Sequence, residues 1–95
     1  MATFVLIHID KPGSLALRMA NREAHLAYCG VNADKIRLGG PLMNEAGEMA
    51  GSLLVLEVED AAAAQAFSDN DPYTKANLFQ RRNVSPFKIT FGAIA

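Results

Sequence analysis

The sequence predicts an α+β domain of the ferredoxin-like βαββαβ class, a four-stranded antiparallel sheet in the order 4-1-3-2 with its helices on one face. Three observations lead there. Two strand-like stretches, Ala2–Ile9 and Gly51–Val58, are apolar on both faces, as central strands are. Two others alternate apolar and polar residues, as edge strands do. Helical stretches fall after the first and third strands, and right-handed crossovers then set strands one and three in the centre.

Each element has its own signal. In Ala2–Ile9, Phe4, Leu6 and His8 point one way and Val5, Ile7 and Ile9 the other. Lys11-Pro12-Gly13 breaks the strand, Ser14 is an N-cap residue, and a helix is expected from Leu15 to about Cys29 with Gly30 at its C-cap. Lys35–Leu42 follows as a strand in which Lys35 and Arg37 alternate with Ile36 and Leu38. Asn44-Glu45-Ala46-Gly47 has the chemistry of a hairpin turn. Gly51–Val58 is the third strand. Asp60 caps a short helix from Ala61 to about Phe67, and Ser68-Asp69-Asn70 reads as a loop. Asp71-Pro72-Tyr73 starts another short helix, with Pro72 at its first position. The last strand is placed within Val84–Ile94, where Phe87, Ile89 and Phe91 alternate with Lys88, Thr90 and Gly92.

Composition narrows the class of function. The chain has 95 residues, 51% of them hydrophobic and 20% charged, which suits one globular domain over 1–95. Nine basic and ten acidic residues leave a net charge of −1, so no nucleic-acid partner is expected. No apolar run reaches the roughly 20 residues that cross a bilayer, and the N-terminus reads as a strand rather than a leader. A membrane partner is therefore not expected, and a cytoplasmic location is. The single cysteine, Cys29, excludes an internal disulfide and a cysteine-based zinc cage. Helices cover only one face of such a sheet, so the other apolar face calls for a second copy of the chain.

On a wheel of about 100° per residue, Leu15, Met19 and Leu26 form a narrow core stripe. Arg18, Arg22, His25 and Cys29 lie together on one flank of it. Such a corner is either a solvated helix face or a site for a buried carboxylate or an anionic ligand. His25 is the residue of this helix fit for proton transfer near neutral pH. Asp71 is both a helix cap and a candidate partner to fix its tautomer. Cys29 reads as a structural residue. A metal held by His25, Cys29 and Asp71 has weak support, and no metal or cofactor is expected. In Leu38-Gly39-Gly40-Pro41-Leu42 the glycines mark either a bend before the hairpin or a wall against which a ligand lies. His8 reads as a satisfied boundary histidine.

Four segments in order, Arg22-Glu23-Ala24-His25-Leu26, Gly39-Gly40-Pro41-Leu42, Asp71-Pro72-Tyr73 and Pro86-Phe87-Lys88, give the whole chain a resemblance. It resembles the YciI-like proteins, small members of the dimeric α/β-barrel group. The resemblance implies a ferredoxin-like fold, a homodimer with sheets packed face to face, and an active site built on a His–Asp pair, here His25 and Asp71. Relatives with an assigned reaction include a dehydrochlorinase acting on a chlorinated hydroxyhydroquinone, and related barrels include muconolactone isomerase. Two departures bear on the pocket mouth: the polar Asn77–Asn83 segment with Arg81-Arg82, and a short turn between strands two and three.

The expected function is a small enzyme in which His25, oriented by Asp71, does acid–base work on a small organic molecule, aromatic ones included, by elimination or isomerisation. Arg18 or Arg22 would stabilise an enolate or phenolate. Gly40, Pro41 and Tyr73 are the further candidate substrate contacts. The rival reading is a non-catalytic ligand-binding or regulatory dimer. The carboxylate is expected to raise the His25 pKa against the opposing push of the two guanidiniums.

Overall fold

The structure is a computed structural model that describes residues 1–92. Strands β1 (Ala2–Asp10), β2 (Ile36–Met43), β3 (Met49–Val58) and β4 (Phe79–Pro86) form one antiparallel sheet in the order β2-β3-β1-β4. Helices α1 (Leu15–Val31), α2 (Ala61–Asn70) and α3 (Pro72–Lys75) complete the element order, with a single 3-10 turn (Ala33–Lys35) before β2. This is the predicted sheet, with β1 and β3 central and the helices on one face. Among the described residues no helix is long and apolar enough to cross a membrane.

The helix-covered face is divided along its length. At one end Phe4, Leu6, Leu54, Leu56 and Val58 pack with Ala64 and Phe67 of α2 as the main apolar core. At the other end the same rows continue as His8, Asp10 and Ser52, all buried. The period of two that buries Phe4 and Leu6 thus also buries polar groups, which need partners from above. A second, smaller cluster of Tyr73, Leu78 and Phe79 closes this end.

That polar floor corrects the reading of α1. Leu15, Met19 and Leu26 are not a core stripe: Met19 is 51% exposed and Leu26 49%. The buried residues of the helix are Arg18 and His25. A guanidinium over a buried carboxylate outweighs the apolar preference there. The helix also runs through Gly30 to Val31, and Asn32 closes it, its backbone N–H donating to the carbonyls of Tyr28 and Cys29 and its Nδ2 to that of Tyr28. Ser14 occupies the N-cap position, but its side chain makes no capping bond.

Four other boundaries differ from expectation. The α2 helix extends to Asn70, so Ser68-Asp69-Asn70 is its last turn rather than a loop. Gln65 and Asp69, four residues apart, bond to each other, and Asn70 Nδ2 donates to the Ala66 carbonyl. The β2 strand starts at Ile36 because Lys35 ends the 3-10 turn, and β3 starts at Met49. The last strand is Phe79–Pro86, ahead of the expected Val84–Ile94. The polar run Gln80–Asn83 is its exposed stretch. After the Phe87 N–H bonds Thr3 O, residues 87–92 leave the sheet and line an open depression beside its outer face, with Phe91 93% exposed. Ile94 lies outside the described residues.

The remaining local predictions agree with the structure. Asn44 Oδ1 accepts the N–H groups of Ala46 and Glu48, and Gly47, at φ +78°, completes the hairpin turn. Asp60 caps α2 through the Ala63 N–H, and Asp71 caps α3 through the Tyr73 N–H, with Pro72 next to it.

Candidate functional site

Above the polar floor, α1, α3 and the β2–β3 hairpin enclose a pocket of about 170 Å³. A cavity of about 150 Å³ holds benzene, so this one suits a single-ring molecule. Its chemistry comes from Arg18, Arg22, His25, Cys29, Ser52 and Tyr73, and its apolar walls from Leu26, Ile36, Met49 and Leu54, with Gly39, Gly40 and Pro41 beside them.

His25 Nδ1 lies 2.9 Å from Asp71 Oδ1. Asp71 is buried behind the imidazole, and the same oxygen accepts the Tyr73 N–H at 2.9 Å. The cap of α3 is therefore also the partner of His25, and one residue meets both requirements. The Tyr73 ring stacks on the imidazole at 4.2 Å with planes 17° apart. Held on one side by Asp71 and on its face by Tyr73, the imidazole presents Nε2, which has Cys29 Sγ at 3.6 Å. Burial by itself would lower the His25 pKa. The hydrogen bonds to Asp71 and Cys29, and their charges, outweigh burial and raise it from 6.5 to about 9. The imidazolium is thus the prevailing form at neutral pH.

Arg18 is almost wholly buried. It donates from Nε to Asp10 Oδ2 at 2.7 Å and from Nη2 to Asp10 Oδ1 at 3.0 Å, a two-point pairing, and again from Nη2 to Ser52 Oγ at 2.8 Å. Its Cζ lies 4.4 Å from the Tyr73 ring centre. Arg18 and Tyr73 therefore belong to one packed unit with His25. Arg22 is exposed at the pocket and makes no hydrogen bond or ion pair with any described residue.

Below Tyr73, His8 packs on Phe79 at 4.6 Å, and its Nε2 lies 2.7 Å from Ser68 Oγ. Its Nδ1 has no partner among the described residues, so His8 is only half satisfied. Burial, chiefly, pushes its pKa down to about 4. Arg82 Nη1 donates to Ser68 Oγ and to Asp69, which ties the polar β4 segment to the end of α2.

The structure brings His25, Asp71, Arg18, Arg22, Gly40, Pro41 and Tyr73 to this one place. The backbone pairing sharpens the glycine reading. Gly39 pairs with Leu54 and Pro41 with Ser52, on the pocket face, whereas Gly40 pairs with Leu53 on the outer one. A Cβ on Gly39 would stand 2.3 Å from Leu54 Cδ2, while one on Gly40 meets nothing within 4 Å. Gly39 is the close-approach position. Asp10 and Ser52 escaped the sequence reading. The signal was present, since each continues the inward-facing row of a central strand. Among the described residues, no three His, Cys, Asp or Glu side chains converge as metal ligands.

The YCII-related domain profile matches residues 2–88. Protein YciI of Escherichia coli O6:H1 is 38% identical over 96 residues, covering 93% of this chain and 98% of its own. An uncharacterised protein of Haemophilus influenzae is 33% identical over 97 residues, with the same coverage of 93% and 98%. Among solved structures, the 5-chloro-2-hydroxyhydroquinone dehydrochlorinase of Burkholderia phenoliruptrix, in complex with 2,5-dihydroxybenzoquinone, is 38% identical. It superposes with a TM-score of 0.84 and covers 90% of this chain and 93% of its own.

Proposed function

The chain belongs to the YCII-related domain family, and on that premise we propose that it is a small enzyme in which the His25–Asp71 pair moves a proton on a single-ring organic substrate. The observation that carries this reading is the 2.9 Å contact between His25 Nδ1 and Asp71 Oδ1 at the wall of a ring-sized pocket. Asp71 fixes the ring so that Nε2 is the transferring nitrogen, and its charge keeps the imidazolium populated. With a pKa of about 9, His25 acts first as the acid and afterwards as the base. Protonation of a ring carbon of the substrate's phenolate, followed by loss of the leaving group with its electron pair while His25 takes a second hydroxyl proton, is an elimination. Protonation followed by return of a proton from another atom is an isomerisation.

The dehydrochlorinase at 38% identity supports a hydroxylated aromatic substrate of the hydroquinone kind. The same reading includes a second copy of the chain on the outer face of the sheet. There Val5, Ile7, Leu53 and Val55, with Leu38, Phe87 and Ile89, form a broad apolar depression. Chloride release from 5-chloro-2-hydroxyhydroquinone under argon tests the enzymatic reading. Wild type is expected to accelerate it, and His25→Gln to lose about 10²–10⁴-fold of that acceleration. Equal rates for the two proteins in this assay and in proton exchange would leave the pocket as a binding site without turnover.

A further inference from the structure

His25 and Asp71 come from different helices, so their 2.9 Å contact depends on what holds those helices together. His25 lies on α1, and Asp71 lies where α2 ends and α3 begins. The Asp71 side is tied down from several directions. A helix leaves its last four carbonyls without partners inside it. In α2 the Ser68 carbonyl accepts the Asp71 N–H at 3.3 Å and the Thr74 hydroxyl at 2.7 Å. The Ser68 side chain is wholly buried. Its Oγ lies 2.7 Å from His8 Nε2 of β1 and accepts from Arg82 Nη1 of β4 at 3.0 Å. The joint between α2 and α3 is thus fastened to the sheet beneath it.

The His25 side is held at fewer points. Arg18 binds the first half of α1 to Asp10 on the sheet, but about two turns before His25. Beyond His25 the helix turns to solvent, and Leu26, Ala27, Gly30 and Val31 are exposed. Tyr28 is the residue of this half that packs against the main core. Its ring lies 4.9 Å from that of Phe67, and its hydroxyl donates to the Phe67 carbonyl at 2.8 Å. Burial, chiefly, pushes the phenol pKa up to about 12, so the hydroxyl keeps the proton it donates. Phe67 O is another end carbonyl of α2, and the Phe67 ring is seated in the core. Tyr28 therefore stands about one turn past His25 and grips the backbone about one turn before Asp71. The two contacts run side by side between the same two segments.

Resting on the reading of His25 and Asp71 as the reacting pair, we infer that Tyr28 is a positioning residue: its hydroxyl, by holding the Phe67 carbonyl, fixes α1 against the α2–α3 joint and so sets the approach of His25 Nδ1 to Asp71 Oδ1. Tyr28 does not line the ring-sized pocket, so it acts through the pair.

Tyr28→Phe removes the hydroxyl and keeps the ring beside Phe67. In an NMR titration the proton affinity of His25 is expected to fall roughly 2–10-fold from that of wild type, the strength of one hydrogen bond between neutral groups. Asp60→Ala is the comparison. It strips the cap from the far end of α2 and lowers stability without touching the joint. Its His25 titration should match that of wild type. In the chloride-release assay at pH 6, where the imidazolium prevails in all three proteins, Tyr28→Phe should lose about 2–10-fold of the acceleration and Asp60→Ala none. An unmoved His25 titration in Tyr28→Phe, or an equal shift in Asp60→Ala, overturns the assignment, because the hydroxyl would then add only to stability. Chloride release undiminished by Tyr28→Phe overturns it as well. If wild type releases no chloride, the enzymatic reading fails and the titration alone judges Tyr28.

Discussion

Replacing Asp71 by Asn separates the two duties of this side chain. The amide can still place an oxygen where Oδ1 now accepts the Tyr73 N–H, and Asn caps helices about as well as Asp. What it removes is the negative charge beside His25. In wild type that charge and its hydrogen bond are the main forces holding the His25 pKa at about 9 against burial. With them gone, burial dominates and the pKa should fall to 6.5 or below. A rise from 6.5 to about 9 corresponds to at most about 3 kcal/mol, at 1.36 kcal/mol for each pKa unit. That stabilisation is fully present below pH 6.5, where folded and unfolded chains both carry the imidazolium. It is lost as pH rises from 6.5 to about 9, where only the folded chain keeps the proton. The variant should therefore be less stable than wild type by up to about 3 kcal/mol at pH 6, with the gap closing toward pH 9. The assay is an NMR titration of the imidazole resonances. The chain has two histidines, and His8 titrates near pH 4, so a transition near 9 belongs to His25. An unchanged His25 titration in Asp71→Asn would show that Asp71 is only a cap.

Other outcomes follow from the same geometry. His8 resists protonation, so stability should also fall as pH drops from 6.5 toward 4. For these two groups together, urea unfolding should show a maximum near pH 6.5. Arg18→Leu leaves the Asp10 carboxylate buried without its partner and should cost about 3–5 kcal/mol in the same unfolding assay. A Cβ on Gly51 would stand 2.5 Å from the His8 carbonyl oxygen. Gly51→Ala should then cost about 1–3 kcal/mol in melts, while Gly40→Ala, with open space around it, should leave the chain's own fold intact. Cys29→Ala should keep the fold and lower the His25 pKa by less than Asp71→Asn does, since the sulfur ranks behind Asp71 among the groups that raise it. Sedimentation at micromolar concentration should show a dimer, and a well-behaved monomer would remove the outer-face proposal.

The sheet was legible because the two-sided apolarity of Phe4–Ile9 and Leu53–Leu56 reports on strand position directly. The hairpin turn and the Asp60 and Asp71 caps were legible because each depends on a short local motif. The burial of α1 was not. An amphipathic wheel assumes an apolar floor, and here the floor is Asp10, Ser52 and His8, so Arg18 and His25 turn inward and Met19 and Leu26 turn out. The last strand was misplaced for a related reason. Phe87, Ile89 and Phe91 alternate as a strand does, but that segment borders the outer-face depression outside the sheet, while the polar Gln80–Asn83 run carries the sheet edge. His25 and Asp71 stood out in the sequence as residue types. Their contact, 46 positions apart, became visible only once α1 and α3 were packed together.

Proton transfer from the His25–Asp71 pair to a ring can be read by isotope exchange. Incubated in D2O under argon and followed by proton NMR, 1,2,4-trihydroxybenzene loses ring-proton signal as its carbons are protonated and deprotonated. Wild type is expected to accelerate this loss, and His25→Gln and Asp71→Asn each to lose about 10²-fold or more of the acceleration while remaining folded. Exchange at the same rate with wild type, with His25→Gln and with no protein would mean that the pair transfers no proton to the ring.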